Sequence, residues 1–100
     1  MVVVVELSVV PLGSGESVSR FVAEAVKELE RNGVKYQVTP MCTIFEASTI
    51  GEAFKIVEAA HEAVFKAGAL RVITSVKVDD RRDKPRASME EKVKALKEKF

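Results

Sequence analysis

Tryptophan is absent from this chain, tyrosine and histidine occur once each, and Cys42 is the only cysteine. A lone cysteine excludes an internal disulfide framework and suits a reducing compartment. With one histidine, His61, and one cysteine there are too few soft ligands for a tight zinc site, and no metal is expected. An excess of one charge is also missing. Lys and Arg number 16 against 15 Asp and Glu, whereas a dedicated nucleic-acid domain is usually strongly basic. No stretch approaches the ~20 apolar residues of a membrane span. The apolar start, "MVVVVELSVVPLGSG", has no basic leader and carries Glu6 inside the run, so it reads as a strand and not a signal peptide. These absences point to the cytoplasm, with neither membrane nor nucleic acid as partner.

What is present is enough for a core. Hydrophobic residues make up 47% of 100 residues, which excludes disorder and fits one domain, residues 1–100. A domain of this size leaves much of its surface unburied, so a partner subunit would help. "VVVVELSVVP" reads as a central strand ended by Pro11, Gly13 and Gly15. Val18, Phe21, Val22, Ala25, Val26 and Leu29 then recur at helical spacing up to Asn32-Gly33. "VKYQVTP" alternates with period two, with Val34, Tyr36 and Val38 on one side, and "CTIFEA" follows as a short strand. Thr49 and Glu52 have capping-box spacing and open a second helix with a stripe of Phe54, Val57, His61, Val64 and Phe65, ending at Gly68. "LRVITSVKV" is the fourth strand. Ser88 and Glu91 repeat the capping-box spacing before a third helix with a narrow stripe of Met89, Val93, Leu96 and Phe100. The order β-α-β-β-α-β plus a terminal helix predicts an α+β ferredoxin-like sandwich: a four-stranded antiparallel sheet with two helices on one face. The second face would carry Val4, Glu6, Ser8 and Val10 from the first strand. That mixed composition suits a subunit or a ligand.

Few residues could carry chemistry. Cys42 and His61 can be imagined as a nucleophile pair, but His61 lies on a packed stripe and Cys42 in a strand. Gly13 and Gly15 match neither the dinucleotide fingerprint nor the P-loop; a small anion could still meet the helix start from Gly13 to Ser17, where Ser14 and Ser17 are candidate caps. Glu46 sits in an apolar strand, where a carboxylate is costly unless paired. Together with Glu6 and Ser8 it would make an acidic, hydrogen-bonding floor suited to a cationic or amino-bearing heterocycle. Base stacking would need exposed aromatics, and the strands offer only Tyr36 and Phe45. From Asp79 to Arg86 the chain packs seven charges and one proline into eight residues. The run nets about one positive charge, too little to track phosphates, and reads either as a solvated turn with local ion pairs or as the rim of a symmetric subunit contact.

"ELSVVPLGSG", "MCTIFEAS", "AAHEAVFKAGALRV" and "VKVDDRRDKPRASMEEKV", in this order, resemble the thiamine-binding-protein-like family of small ferredoxin-like domains. The resemblance covers nearly the whole chain. It implies a cytoplasmic protein without catalysis or a cofactor, assembled through its sheet as a homodimer or homotetramer, and binding thiamine or its hydroxymethyl pyrimidine precursor. Ser8, Thr43 and Glu46 lie in the matching motifs and become the candidate ligand-binding residues, with Glu6 added by face alternation. Cys42 stands where many relatives have glycine. An oligomeric regulatory or structural protein that binds another small ligand or anion is the alternative.

Overall fold

Alternating valines make the centre of the sheet. A computed structural model describes residues 1–15 and 18–100. In it the elements are β1 (Val3–Pro11), α1 (Ser19–Arg31), β2 (Tyr36–Val38), β3 (Thr43–Ala47), α2 (Ile50–Lys66), β4 (Val72–Asp79) and α3 (Met89–Lys97). The strands form one antiparallel sheet in the order β2-β3-β1-β4, so the fold is the expected α+β ferredoxin-like sandwich with an added C-terminal helix.

Odd-numbered β1 residues Val3, Val5, Leu7 and Val9 are at most 6% exposed. They pack beside Phe45 and Ala47 of β3 under Phe21, Ala25 and Leu29 of α1. The stripe of α2 is rotated from the expected one. Phe54 is 51% exposed, while Ala53, Ile56, Ala60 and Ala63 are buried with Val57 and Val64. Alanines let the helix axis lie close to its neighbours, so small residues and not the phenylalanine face the core. Two of the capping predictions hold. The Thr49 hydroxyl accepts from the Glu52 N–H (3.1 Å) and the Ser88 hydroxyl from the Glu91 N–H (3.3 Å). Helix α1 differs: Val18 takes the N-cap position with no side-chain cap, so Ser14 does not serve there. Ser17 lies outside the described residues.

The even-numbered face of the sheet carries Val4, Glu6, Ser8 and Val10 from β1, Ile44 and Glu46 from β3, and Ile73, Ser75, Lys77 and Asp79 from β4. Helix α3 spans part of it and is anchored mainly at its start. There Met89 is buried, and its N–H donates to Glu46 Oε2 at 2.7 Å. Lys35 pairs with Glu90 (2.5 Å) and lies 3.8 Å from Glu46, and Lys92 pairs with Asp79. Beyond that anchor the stripe opens to solvent: Val93, Leu96 and Phe100 are exposed. In the charged run Arg81 forks onto Asp83 (2.7 and 3.2 Å) and Arg82 bonds Asp80 (2.8 Å). Its charges are thus satisfied largely within the turn itself, and the Arg86 C=O accepts from the Val2 N–H (2.9 Å), tying the turn to the start of β1.

Candidate functional site

The four candidate residues divide between the two faces of the sheet. Glu6, Ser8 and Glu46 share the even-numbered face, as expected, with Val4 opposite Glu46 in the ladder. Thr43 pairs with Leu7 and points the other way, toward the helices, at 7% exposure. Glu46 is engaged with Lys35 and the start of α3. Glu6 is exposed and lies across the ladder from Lys77.

Two concavities follow from this arrangement. The larger, about 1050 Å³, is an open groove between the even-numbered face and α3, with Val4, Ile44, Val93 and Leu96 among its walls and Glu6 and Lys77 at its floor. Its other charged residues include Asp79, Glu90, Glu98, Lys92, Lys94 and Lys97, so neither sign dominates.

The smaller, about 230 Å³, lies under α1 where β1 runs on past the end of β3. Valines from β1 and α1 wall it, none of the described residues that line it is charged, and Ser8, Thr39, Cys42 and Thr43 bring polar atoms. Its backbone chemistry follows from the ladder. The bond from the Leu12 N–H to the Arg71 C=O (2.8 Å) makes the even-numbered β1 residues the ones bonded to β4. The odd-numbered ones turn toward β3, whose pairing stops at Leu7 with Thr43. Val9 is the next odd residue. Among the described residues its N–H and C=O have no strand partner on that side, and Val9 lines the cavity. Pro11 follows, and its missing N–H is tolerated because it too faces away from β4.

Thr39 shapes the opposite wall. Its hydroxyl accepts from the N–H groups of Met41 (3.3 Å) and Cys42 (3.1 Å) and donates to the Cys42 C=O (2.8 Å). Thr43, a residue 7% exposed, lines the same cavity. The imagined nucleophile pair is not formed: Cys42 Sγ lies 3.4 Å from Thr39 Oγ1, while His61 Nδ1 bonds Thr74 Oγ1 at 2.6 Å. Among the described residues no group of three or more His, Cys, Asp or Glu could hold a metal ion, and no helix is long and apolar enough to cross a membrane.

A family profile described as thiamine-binding protein matches residues 5–97. The chain belongs to the thiamine-binding protein family. Within it, a UPF0045 protein of Methanothermobacter thermautotrophicus is 46% identical over 96 residues, covering 95% of this chain and 96% of that one. A UPF0045 protein of Staphylococcus xylosus is 44% identical, covering 93% and 90%. The crystal structure of MJ1052 from Methanocaldococcus jannaschii superposes with a TM-score of 0.87 at 36% identity over 97% of each chain. A Thermotoga maritima protein proposed to act in thiamine biosynthesis or salvage shares the fold, with a TM-score of 0.80 at 23% identity over 96% of this chain and 99% of that one.

Two polar groups of this family member's cavity, the Val9 backbone and the Thr39 hydroxyl, have no signal in the sequence pattern. The free backbone of Val9 depends on where β3 ends, and no side chain signals it. Pro11 was the available hint: a proline inside a central strand implies that one margin has no partner there.

Proposed function

We propose that this protein is a non-enzymatic binder of a small ligand, the neutral hydroxymethyl pyrimidine precursor of thiamine, held in the smaller cavity. The observation that carries the reading is the unpartnered N–H and C=O of Val9 in the cavity that Thr43 also lines. An aminopyrimidine presents a ring nitrogen that accepts and an adjacent amino group that donates. One strand residue offers the complementary donor and acceptor side by side, and Thr43 or Ser8 can take the hydroxymethyl group. Size and charge support the single ring over thiamine itself. Drug-sized ligands occupy roughly 300–1,000 Å³, and about 230 Å³ suits one substituted ring better than two. Among the described residues the cavity has no carboxylate to offset thiamine's cationic thiazolium.

The even-numbered face supports a second part of the reading, assembly. Val4, Val10, Ile44 and the open stripe of α3 form an apolar surface suited to another copy of the chain, giving a homodimer or homotetramer. The protein then works in the cytoplasm as a carrier or sensor. One specific observation favours a different ligand site: the larger groove has room for thiamine and carries Glu6 on its floor.

Titration calorimetry with the pyrimidine and with thiamine tests both readings. The pyrimidine is expected to bind more tightly, and Thr43→Val to weaken it about tenfold, the equivalent of one good hydrogen bond. Thiamine bound more tightly, weakened by Glu6→Gln and indifferent to Thr43→Val, moves the site to the groove. No heat with either compound at millimolar concentration overturns both.

A further inference from the structure

The smaller cavity has a mouth. Of the apolar side chains that line it, Met41 is 86% exposed and Val38 59%, more than any other among the described residues. Val38 pairs with Thr43 and Thr43 with Leu7, so these three share the helix-side face of the sheet and run from the rim to the buried floor. Helix α1 closes the cavity from above with Val22 and Val26, both half-buried.

A singly exposed apolar side chain is ordinary on a protein surface. Met41 differs in how it is held. Its N–H donates to Thr39 Oγ1 (3.3 Å), the Cys42 N–H donates to the same oxygen (3.1 Å), and the Thr39 N–H donates to the Cys42 C=O (2.9 Å). The backbone at the rim is therefore fixed. What is free to move is one long, unbranched side chain with three rotatable bonds. Val38 is short and stiff at χ1, so it cannot reach across.

We infer that Met41 closes the site: when the cavity fills, its side chain folds inward over the part of the ligand that faces solvent. The inference rests on the reading of this cavity as the pyrimidine site. There the Val9 N–H and C=O engage the edge of a planar ring, and a ring held by its edge needs apolar cover on its faces. Val22 and Val26 supply it on the α1 side. On the solvent side, among the described residues, only Met41 has the reach. The gain is mutual, since the exposed side chain and the ring lose water together. Closure also sets specificity. A cavity of about 230 Å³ holds one substituted ring. A ligand with a second ring must carry it out through the mouth, into the place that Met41 would occupy. Met41 thus favours the single ring and adds nothing for thiamine.

Ligand-free Met41→Ala is expected to melt with the unmodified protein, because a side chain 86% exposed packs on little. Calorimetry should find its pyrimidine affinity lower by about tenfold, the worth of covering part of such a side chain, and its thiamine affinity unchanged. Stopped-flow mixing should place the loss in faster dissociation, since closing follows entry. Met41→Leu, similar in volume, should restore most of it. Cys42 lines the same cavity and reports access. Saturating pyrimidine should slow iodoacetamide alkylation of Cys42 in the unmodified protein and in Met41→Leu, and much less in Met41→Ala. Pyrimidine binding that Thr43→Val weakens but Met41→Ala leaves equal overturns the inference while the site stands. A loss equally large in Met41→Leu, or one that thiamine shares, does the same. An unmodified protein that binds no pyrimidine overturns the site and its closing residue together.

Discussion

Glu46 reaches across the sheet's second face to accept the Met89 N–H at 2.7 Å. A carboxylate that cost something in its apolar strand thereby satisfies a free donor at the start of α3 and complements the helix dipole. Glu46→Ala removes this contact and is expected to lower stability by about 1 kcal/mol, the usual worth of an N-terminal cap. Hydrogen exchange localises the effect: amides of residues 89–97 should exchange faster while those of β1 keep their protection relative to global stability. Unchanged protection in α3 would mean that its lysine pairs suffice.

Those pairs make α3 sensitive to acid. The hydrogen bond from Lys35 holds Glu90 below the usual carboxylate range, and that from Lys92 does the same to Asp79. A carboxylate depressed in the folded state contributes fully above its unfolded value of about 4 and loses that contribution as pH falls through its folded value. The resonances of α3 should therefore shift below about pH 4, ahead of unfolding of the sandwich. About 1 M salt at neutral pH should loosen the helix in the same direction by screening exposed charges. An α3 that stays put until global unfolding in both conditions would show that these pairs do not hold it.

Asp83 offers a sharper titration. The Arg81 guanidinium, bonded to it, is the main cause that lowers its carboxyl to about 2. Carbon-detected NMR should find its midpoint near there, and Arg81→Gln should return it toward the ordinary value. An ordinary midpoint in the unmodified protein would mean that the turn is open in solution.

The architecture was legible because local signals and global packing agree. Val3, Val5, Leu7 and Val9 alternate strictly, and Thr49 and Ser88 announce two helix starts three residues before a glutamate. The failures have a common physical form. Helical spacing with Val57, His61 and Val64 puts Phe54 on the expected core stripe, but the close approach of α2 favours alanine there. The Met89 partner of Glu46 lies 43 residues away, and the open margin at Val9 is a property of strand ends. Neither leaves a mark in sequence periodicity.

The Thr39 hydroxyl makes three hydrogen bonds with the backbone of the turn at Met41 and Cys42 and a fourth contact with Cys42 Sγ, and that turn forms one wall of the smaller cavity. Thr39→Val keeps the shape and removes them all. A loss of about 1 kcal/mol is expected, the net worth of an ordinary hydrogen bond between part-buried groups, with a parallel loss of pyrimidine affinity. Cys42→Ser is the counterpart, since a serine hydroxyl can keep the contact now made by Sγ. Its melting temperature and pyrimidine binding should stay close to those of the unmodified protein. A turnover present in the unmodified protein and lost in Cys42→Ser would replace the binding reading with an enzymatic one.

Helix α3 has nine residues, fewer than the ~12–15 that a helix needs to be even marginal alone in water. Its hold on its own subunit is concentrated in the first turns, at Met89, Glu90 and Lys92. The rest of its apolar stripe looks onto a groove it does not fill: Leu96 is 61% exposed and Phe100 89%. Burying such side chains is worth roughly 1.5–3 kcal/mol each, a gain available only from outside the chain. The second copy proposed on the even-numbered face would supply the missing cover, with Val4 and Ile44 as the floor. Leu96→Glu places a charge at the centre of that contact while disturbing no core residue of the subunit. Circular dichroism should find the sandwich intact, and light scattering at micromolar concentration should find a smaller assembly, most clearly on dilution. An assembly of unchanged mass would leave the stripe exposed and remove the even-numbered face as a subunit contact.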